Sequence, residues 1–195
     1  SSRPGNSGNG ITSIGGTPGV SIDKDPDDED TETTEQFTDL EHVSWAKESI
    51  LRLYDKKIIA GKTETTFCPN EAITREEFVK ILVCALSIPE KETQTFIDVE
   101  QEKWYAPYVG GAVTAGIVSG ISEDCFGVGE QITRQDICAI LYRAAGSPEE
   151  IRQGKSFTDQ NEIAGYAAAG VAYLSGAGVI TGMEDGSFQP KAPAT

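Results

Sequence analysis

Phe37-Thr38-Asp39, Phe96-Ile97-Asp98 and Phe157-Thr158-Asp159 open three segments of one chain, 59 and then 61 residues apart. Trp45 and Trp104 each follow their Phe by eight residues. Gly61 and Gly120 follow it by 24, and Thr74-Arg75 and Thr133-Arg134 begin 37 after it. The third unit carries one extra residue near its start, so that Tyr166 takes the Trp place, Gly182 the Gly place and Thr195 the Thr place. A unit too small to bury its apolar face alone has to stack on its neighbours, so the array reads as one fold.

Each unit reads as helix, loop, helix. Trp45, Ala46, Ile50, Leu53 and Tyr54 fall at helical spacing on one face, as do Trp104, Val109, Ala112 and Val113, then Tyr166, Val171, Leu174 and Ser175. Pro107 fits only a first helical turn, which puts that helix start near Trp104. Gly116 and Gly178 suit left-handed helix caps; Lys57 stands at the same place in repeat 1 and implies a more strained end. A loop follows, with Phe67, Phe126 or Phe188 plugging the core. The second helix begins at Thr74 or Thr133, its buried face expected from Phe78, Ile81, Leu82 and Ala85, and from Ile137, Ile140, Leu141 and Ala144. The expected class is all-α, with repeats at 37–95, 96–156 and 157–195, the third ending at the Thr that should cap a second helix. That leaves an open apolar face, which is expected to be covered by a further segment or a neighbouring chain.

Residues 1–36 hold eight acidic and two basic side chains and are rich in Gly, Ser, Pro and Asn. They read as a disordered, acidic N-terminal linker. Asp23, Asp25 and Asp27 resemble the start of a calcium loop, but Asp28 and Thr34 stand where it needs Gly and Glu. Net charge is −15, which argues against a nucleic-acid partner. A few placed arginines can still dominate a local anionic site. No apolar run is long enough to insert in a membrane, and no stretch reads as a signal peptide. Four cysteines read either as free thiols or as the loop-to-helix bridges Cys68–Cys84 and Cys125–Cys138. Neither metal, cofactor nor catalytic constellation stands out; acidic residues are abundant, but none is set in an apolar pocket motif.

Thr74-Arg75-Glu76-Glu77 and Thr133-Arg134-Gln135-Asp136 carry two signals. Thr with an acid three residues on is a capping box, weaker with the shorter Asp136. Arg at the first helical position faces the positive end of the helix dipole, which costs about 0.3–1 kcal/mol when exposed. An anion site explains that placement twice over: helix-start N–H groups and a planar guanidinium fork both suit a carboxylate. Arg75 and Arg134 are therefore ligand-binding candidates. Trp45 and Trp104 read either as half-buried packing or as sugar-stacking faces. Asp39, Asp98 and Asp159 precede helix starts and read as turn caps, and Gly61, Gly120 and Gly182 as tight turns or places of close ligand approach.

These residues resemble the S-layer homology family, whose pattern runs from an F-x-D opening through Trp and an apolar pair before x-Gly to a T-R-A-E motif. Here the middle elements are Ile58-Ile59-Ala60-Gly61 and Ile117-Val118-Ser119-Gly120. The resemblance implies a pseudo-three-fold, helix-based spindle; no enzymatic activity is expected, since the sequence shows no nucleophile elbow, phosphate loop or metal cluster. It implies a secreted, extracellular module that anchors proteins to the cell wall by binding secondary cell-wall polysaccharide, often through a pyruvylated amino sugar. Arg75 and Arg134 would meet the ligand's carboxylate. Trp45, Trp104, Asp39, Asp98, Gly61 and Gly120 would line the grooves. Gln135 and Asp136 depart from the family's Ala-Glu. The alternative is a self-assembling surface-layer or filament subunit whose repeats pack on neighbouring chains.

Overall fold

The computed structural model describes residues 36–92, 95–150 and 154–195. The linker expected over 1–36 and the calcium-loop reading lie outside the described residues, Gln36 excepted. What is described is all-α: α1 Ser44–Asp55, α2 Arg75–Ala85, α3 Ala106–Thr114, α4 Arg134–Ala144 and α5 Gly165–Gly176. Single 3₁₀ turns, Glu41–Val43 and Gln160–Glu162, precede α1 and α5. Repeat 1 holds α1 and α2, repeat 2 holds α3 and α4, and repeat 3 holds α5.

The helix ends follow the local chemistry. The Thr74 hydroxyl accepts from Glu77 N–H, and the Glu77 carboxylate accepts from Thr74 N–H, closing a full capping box. Thr133 accepts from Asp136 N–H in the same way, but Asp136 is one methylene short and accepts from the Thr133 hydroxyl instead. Pro107 occupies the first turn of α3. Lys57, Gly116 and Gly178 all end their helices in the left-handed region, at φ 58°, 72° and 74°. Each donates to the carbonyl three residues back, and the next residue donates five back, the Schellman pattern. Lys57 makes it at the steric cost that glycine avoids.

Three copies of one loop carry the core. Phe126 and Phe188 are fully buried plugs and Phe67 is partly buried; each ring lies 5.4–5.8 Å from the opening Phe of its own repeat. α3 packs on α2 and α5 on α4. Gly170 lets α5 approach α4, since a Cβ there would overlap the Cys138 carbonyl. The apolar face of α2 is rotated from the expected one. Val79, Leu82 and Val83 are buried, Phe78 and Ile81 are half-buried, and Ala85 is exposed. Packing against Val109 and Ala112 of α3 draws the Val79–Val83 edge inward. Trp45 does not join the face of Ile50 but stands 87% exposed, because α1 meets no other helix among the described residues.

The repeats are joined at their centre by a closed ring of backbone hydrogen bonds. Ile132 N–H donates to Ile73 O (3.1 Å), Ala194 N–H to Ile132 O (2.9 Å), and Ile73 N–H to Ala194 O (3.0 Å). These are the residues just before Thr74, Thr133 and Thr195, so each repeat occupies an equivalent place around an approximate three-fold axis. Further stitches flank it: Arg75 N–H donates to Glu130 O, and Arg134 N–H to Ala192 O. Glu76 accepts from Gly129 N–H and Gln135 from Ala164 N–H, which gives those buried polar side chains their partners.

The cysteines are four free thiols, and neither loop-to-helix bridge forms. Burial pushes the Cys138 thiol up to about 11, so it packs as a small apolar group.

Gly61 and Gly120 are needed for packing. A Cβ on Gly120 would overlap the carbonyl oxygens of Cys125 and Ser122 and the Phe96 ring; on Gly61 it would meet those of Thr63 and Thr66 and the Phe37 ring. Gly120→Ala is therefore expected to destabilise the array by about 1–3 kcal/mol in chemical denaturation, the usual cost of forcing backbone apart in a packed site.

Candidate functional site

The motif arginines leave their helices sideways, over the next repeat. Arg75 is only 6% exposed. Its guanidinium carbon sits 5.1 Å from the Phe126 ring centroid, and Nη2 donates to Ser119 O at 2.9 Å. Arg134 repeats the pose on Phe188 at 5.1 Å, with Nε donating to Phe188 O at 2.9 Å. Both stack a cation on an aromatic face. Their own backbone N–H groups are taken by the inter-repeat stitches, so they are not free for an anion, contrary to the sequence reading. Whatever anion binding occurs there belongs to the guanidinium.

Arg75 opens onto a cavity of about 340 Å³ between repeats 1, 2 and 3. Ser119, Gly120 and Ile121 form one side; Asp136, Ala139, Ile140 and Arg143 of α4, with Tyr166 of α5, form the other. Arg75 Nε is buried in this setting with no hydrogen-bond partner. Burial lowers the Arg75 pKa and Asp136 opposes the shift; guanidinium remains charged at neutral pH regardless. Tyr166 donates to Asp136 at 2.6 Å, and burial together with that bond pushes its hydroxyl up to about 12.

A second cavity, about 260 Å³, lies at the equivalent place in repeat 1. Gly61, Lys62, Glu77, Lys80, Trp104 and Thr195 are among its lining. Lys62 and Glu77 are paired at 2.8 Å, and Lys80 Nζ stands 5.5 Å from the Trp104 ring centroid. Trp104 is half exposed. The structure thus gathers Arg75 with Gly120, and Gly61 with Trp104. Arg134 and Trp45 line neither cavity.

Asp39 and Asp98 are spent on the loops. Asp39 accepts from the N–H groups of Phe67 and Cys68; Asp98 from Phe126, Gly127 and Val128; Asp159 from Phe188 and Gln189. The Phe67 bond is the main reason Asp39 lies below the usual carboxylate range. For Asp98 and Asp159 burial pushes upward, and the backbone donors together outweigh it.

Sequence reading passed over Arg143, Lys62 and Lys80, and took Asp136 only as a cap. The repeat register held the signal. Arg143 falls where repeat 1 has Cys84, and Lys80 where repeat 2 has Ala139, so each position carries a charge at a cavity in one copy and a small uncharged side chain in the other. Among the described residues no group of His, Cys, Asp and Glu side chains comes together to hold a metal ion.

Because these carboxylates bind protons less readily folded than unfolded, their contribution is present above the unfolded value of about 3.9 and is lost as pH falls through the lower folded values. Melting temperature is expected to fall as the pH drops below about 4. Asp98→Ala, which strands three backbone donors, should cost about 1–3 kcal/mol at neutral pH and make that acid slope shallower.

Residues 36–79, 95–138 and 156–195 each match the S-layer homology domain. Over 164 residues the chain is 32% identical to an amylopullulanase of Thermoanaerobacterium thermosulfurigenes, matching 82% of this chain and 9% of that protein. It is 30% identical to an endoglucanase of Bacillus sp. (strain KSM-635), matching 82% of this chain and 17% of that protein. It is 29% identical to the surface-layer 125 kDa protein of Lysinibacillus sphaericus, matching 82% of this chain and 14% of that protein. The chain therefore spans less than a fifth of the length of these relatives. The chain belongs to the S-layer homology domain family, as a cell-surface, wall-anchoring array of three repeats.

Proposed function

We propose that the array holds a larger protein non-covalently on the cell wall by binding an acid-bearing secondary cell-wall polysaccharide, with a pyruvylated terminal sugar as the ligand that the family resemblance implies. The observation that carries this reading is Arg75: a cation 6% exposed, with an unpartnered Nε, beside a polar cavity of about 340 Å³. A protein of net charge −15 has little reason to keep such a group in place except to meet an anion. Arg134, in the same pose on Phe188, is the second arginine site; Trp104, Gly61 and Gly120 line the grooves. Asp39, Asp98 and Trp45 act around them, the two carboxylates by fixing the groove loops.

An anchor also fits the relatives better than a catalyst. Two enzymes with different names and a surface-layer protein share this region as a small fraction of their length. A segment common to all three supports a role they share over any one separate activity. The exposed outer face of α1, with Trp45 at its start, favours the second reading, a subunit that packs on neighbouring copies. Sedimentation at rising protein concentration separates that reading from a monomeric anchor.

Arg75→Ala with Arg134→Ala is expected to weaken pull-down on acid-bearing wall polysaccharide by about ten- to a hundredfold, the worth of a charged hydrogen bond. Arg→Lys should restore part of it, because ammonium lacks the planar fork. Unchanged binding by the folded double variant would sink the assignment.

A further inference from the structure

Arg143 is the unassigned charge in the Arg75 cavity. It projects from the last turn of α4 and is half-buried. Its side chain makes no hydrogen bond or ion pair with another described residue. It lines the same cavity as Arg75, close enough for its charge to act on Arg75. Asp136 is the acid in the lining, and both its oxygens are already committed, one to the Tyr166 hydroxyl and one to the Thr133 hydroxyl. Two guanidinium groups thus face one cavity against a single carboxylate. Within the lining the surplus is one positive charge, next to the buried, unpartnered Nε of Arg75; the Glu130 carboxylate, outside the lining, is a further acid that acts on Arg75.

We infer that Arg143 is the second arm of a carboxylate clamp: the Arg75 cavity takes the single carboxylate of an acidic sugar end between the two guanidiniums. This deepens the anchoring reading and rests on it for the sugar. One carboxylate neutralises the surplus charge and accepts from the guanidinium N–H groups of Arg143 and Arg75 that line the cavity. A doubly charged end such as a phosphate monoester would leave an excess negative charge beside Asp136. Tyr166, held by Asp136, presents its ring at the cavity wall as an apolar face for the sugar. Repeat 1 has Cys84 where Arg143 stands, and its cavity presents Lys62 already paired to Glu77. The two cavities are therefore chemically unlike, and the clamp belongs to the one between Arg75 and Arg143.

The test compares the intact chain with Arg143→Gln and Arg143→Lys, each first shown to melt like the intact chain. Calorimetric titration uses wall polysaccharide with its acid substituents and the same polymer stripped of them. R143Q is expected to bind the acid-bearing polymer about tenfold more weakly, R143K to recover part of that, and the stripped polymer to bind all three alike. Equal affinity of R143Q and the intact chain for the acid-bearing polymer overturns the clamp and leaves anchoring standing. An equal loss on both polymers assigns Arg143 to packing and also overturns it. If the intact chain binds neither polymer, the anchoring reading falls, and a second arm decides the clamp alone. There, sodium pyruvate is titrated while the Arg75 Nε–H signal is followed by NMR. A shift that R143Q abolishes upholds the clamp; no shift, or the same shift in R143Q, overturns it.

Discussion

The backbone ring of Ile73, Ile132 and Ala194 is the constraint on which the array depends. Each member gives its N–H to one repeat and its carbonyl to the other, so the three can only be satisfied together. The ring sits immediately before Thr74, Thr133 and Thr195. It therefore fixes where α2 and α4 start, and so where Arg75 and Arg134 leave the backbone. The arginines reach across to Phe126 and Phe188 because the ring has already placed the next repeat's loop beside them. The cavity follows from the same placement, being the space left between one repeat's arginine, the next repeat's loop and second helix, and the following repeat's first helix.

Much of this was legible in the chain, for physical reasons that can be named. Thr with an acid three residues later marks a helix start whatever surrounds it, and Thr74 and Glu77 obey it. Glycine after an apolar helix face marks a stop, and Gly116 and Gly178 obey that. The family resemblance rested on such locally determined residues, which is why it survived comparison. What local rules could not supply was the inter-repeat geometry. Asp98 is an ordinary turn-former in sequence, and only the fold shows it collecting three donors from a loop near Phe126. Trp45 sits on the right helical stripe, but among the described residues α1 has no α-helix neighbour to bury it. Arg143 was not singled out because it lines its cavity beside Arg75, a residue of another repeat.

The glycines illustrate how a site residue in a family pattern can be held by structure. Gly61 and Gly120 line the cavities, yet the contacts that forbid a side chain there come from the protein's own carbonyls and from Phe37 and Phe96. The same is true of the Asp residues, whose carboxylates face the loop N–H groups. The motif is thus mostly scaffolding around a small number of outward-facing groups. On the proposed reading, function falls to Arg75, Arg134 and the aromatic and charged side chains that differ between copies. Such an arrangement lets the cavities diverge in chemistry while the loops that frame them stay alike.

The ring also sets an order of events. Its last bond joins residues from the two ends of the array, so it closes the longest loop in the fold and bears the largest closure entropy. A chain that emerges N-terminus first can form its local turns and helices early, but cannot complete the centre until Ala194 has arrived. Until then α2 and α4 lack the stitches at their starts, and the arginines have no framed cavity to face. If the cavity is the binding site proposed above, a partly exported chain would be a poor binder, and competence to grip the wall would appear only as the third repeat docks.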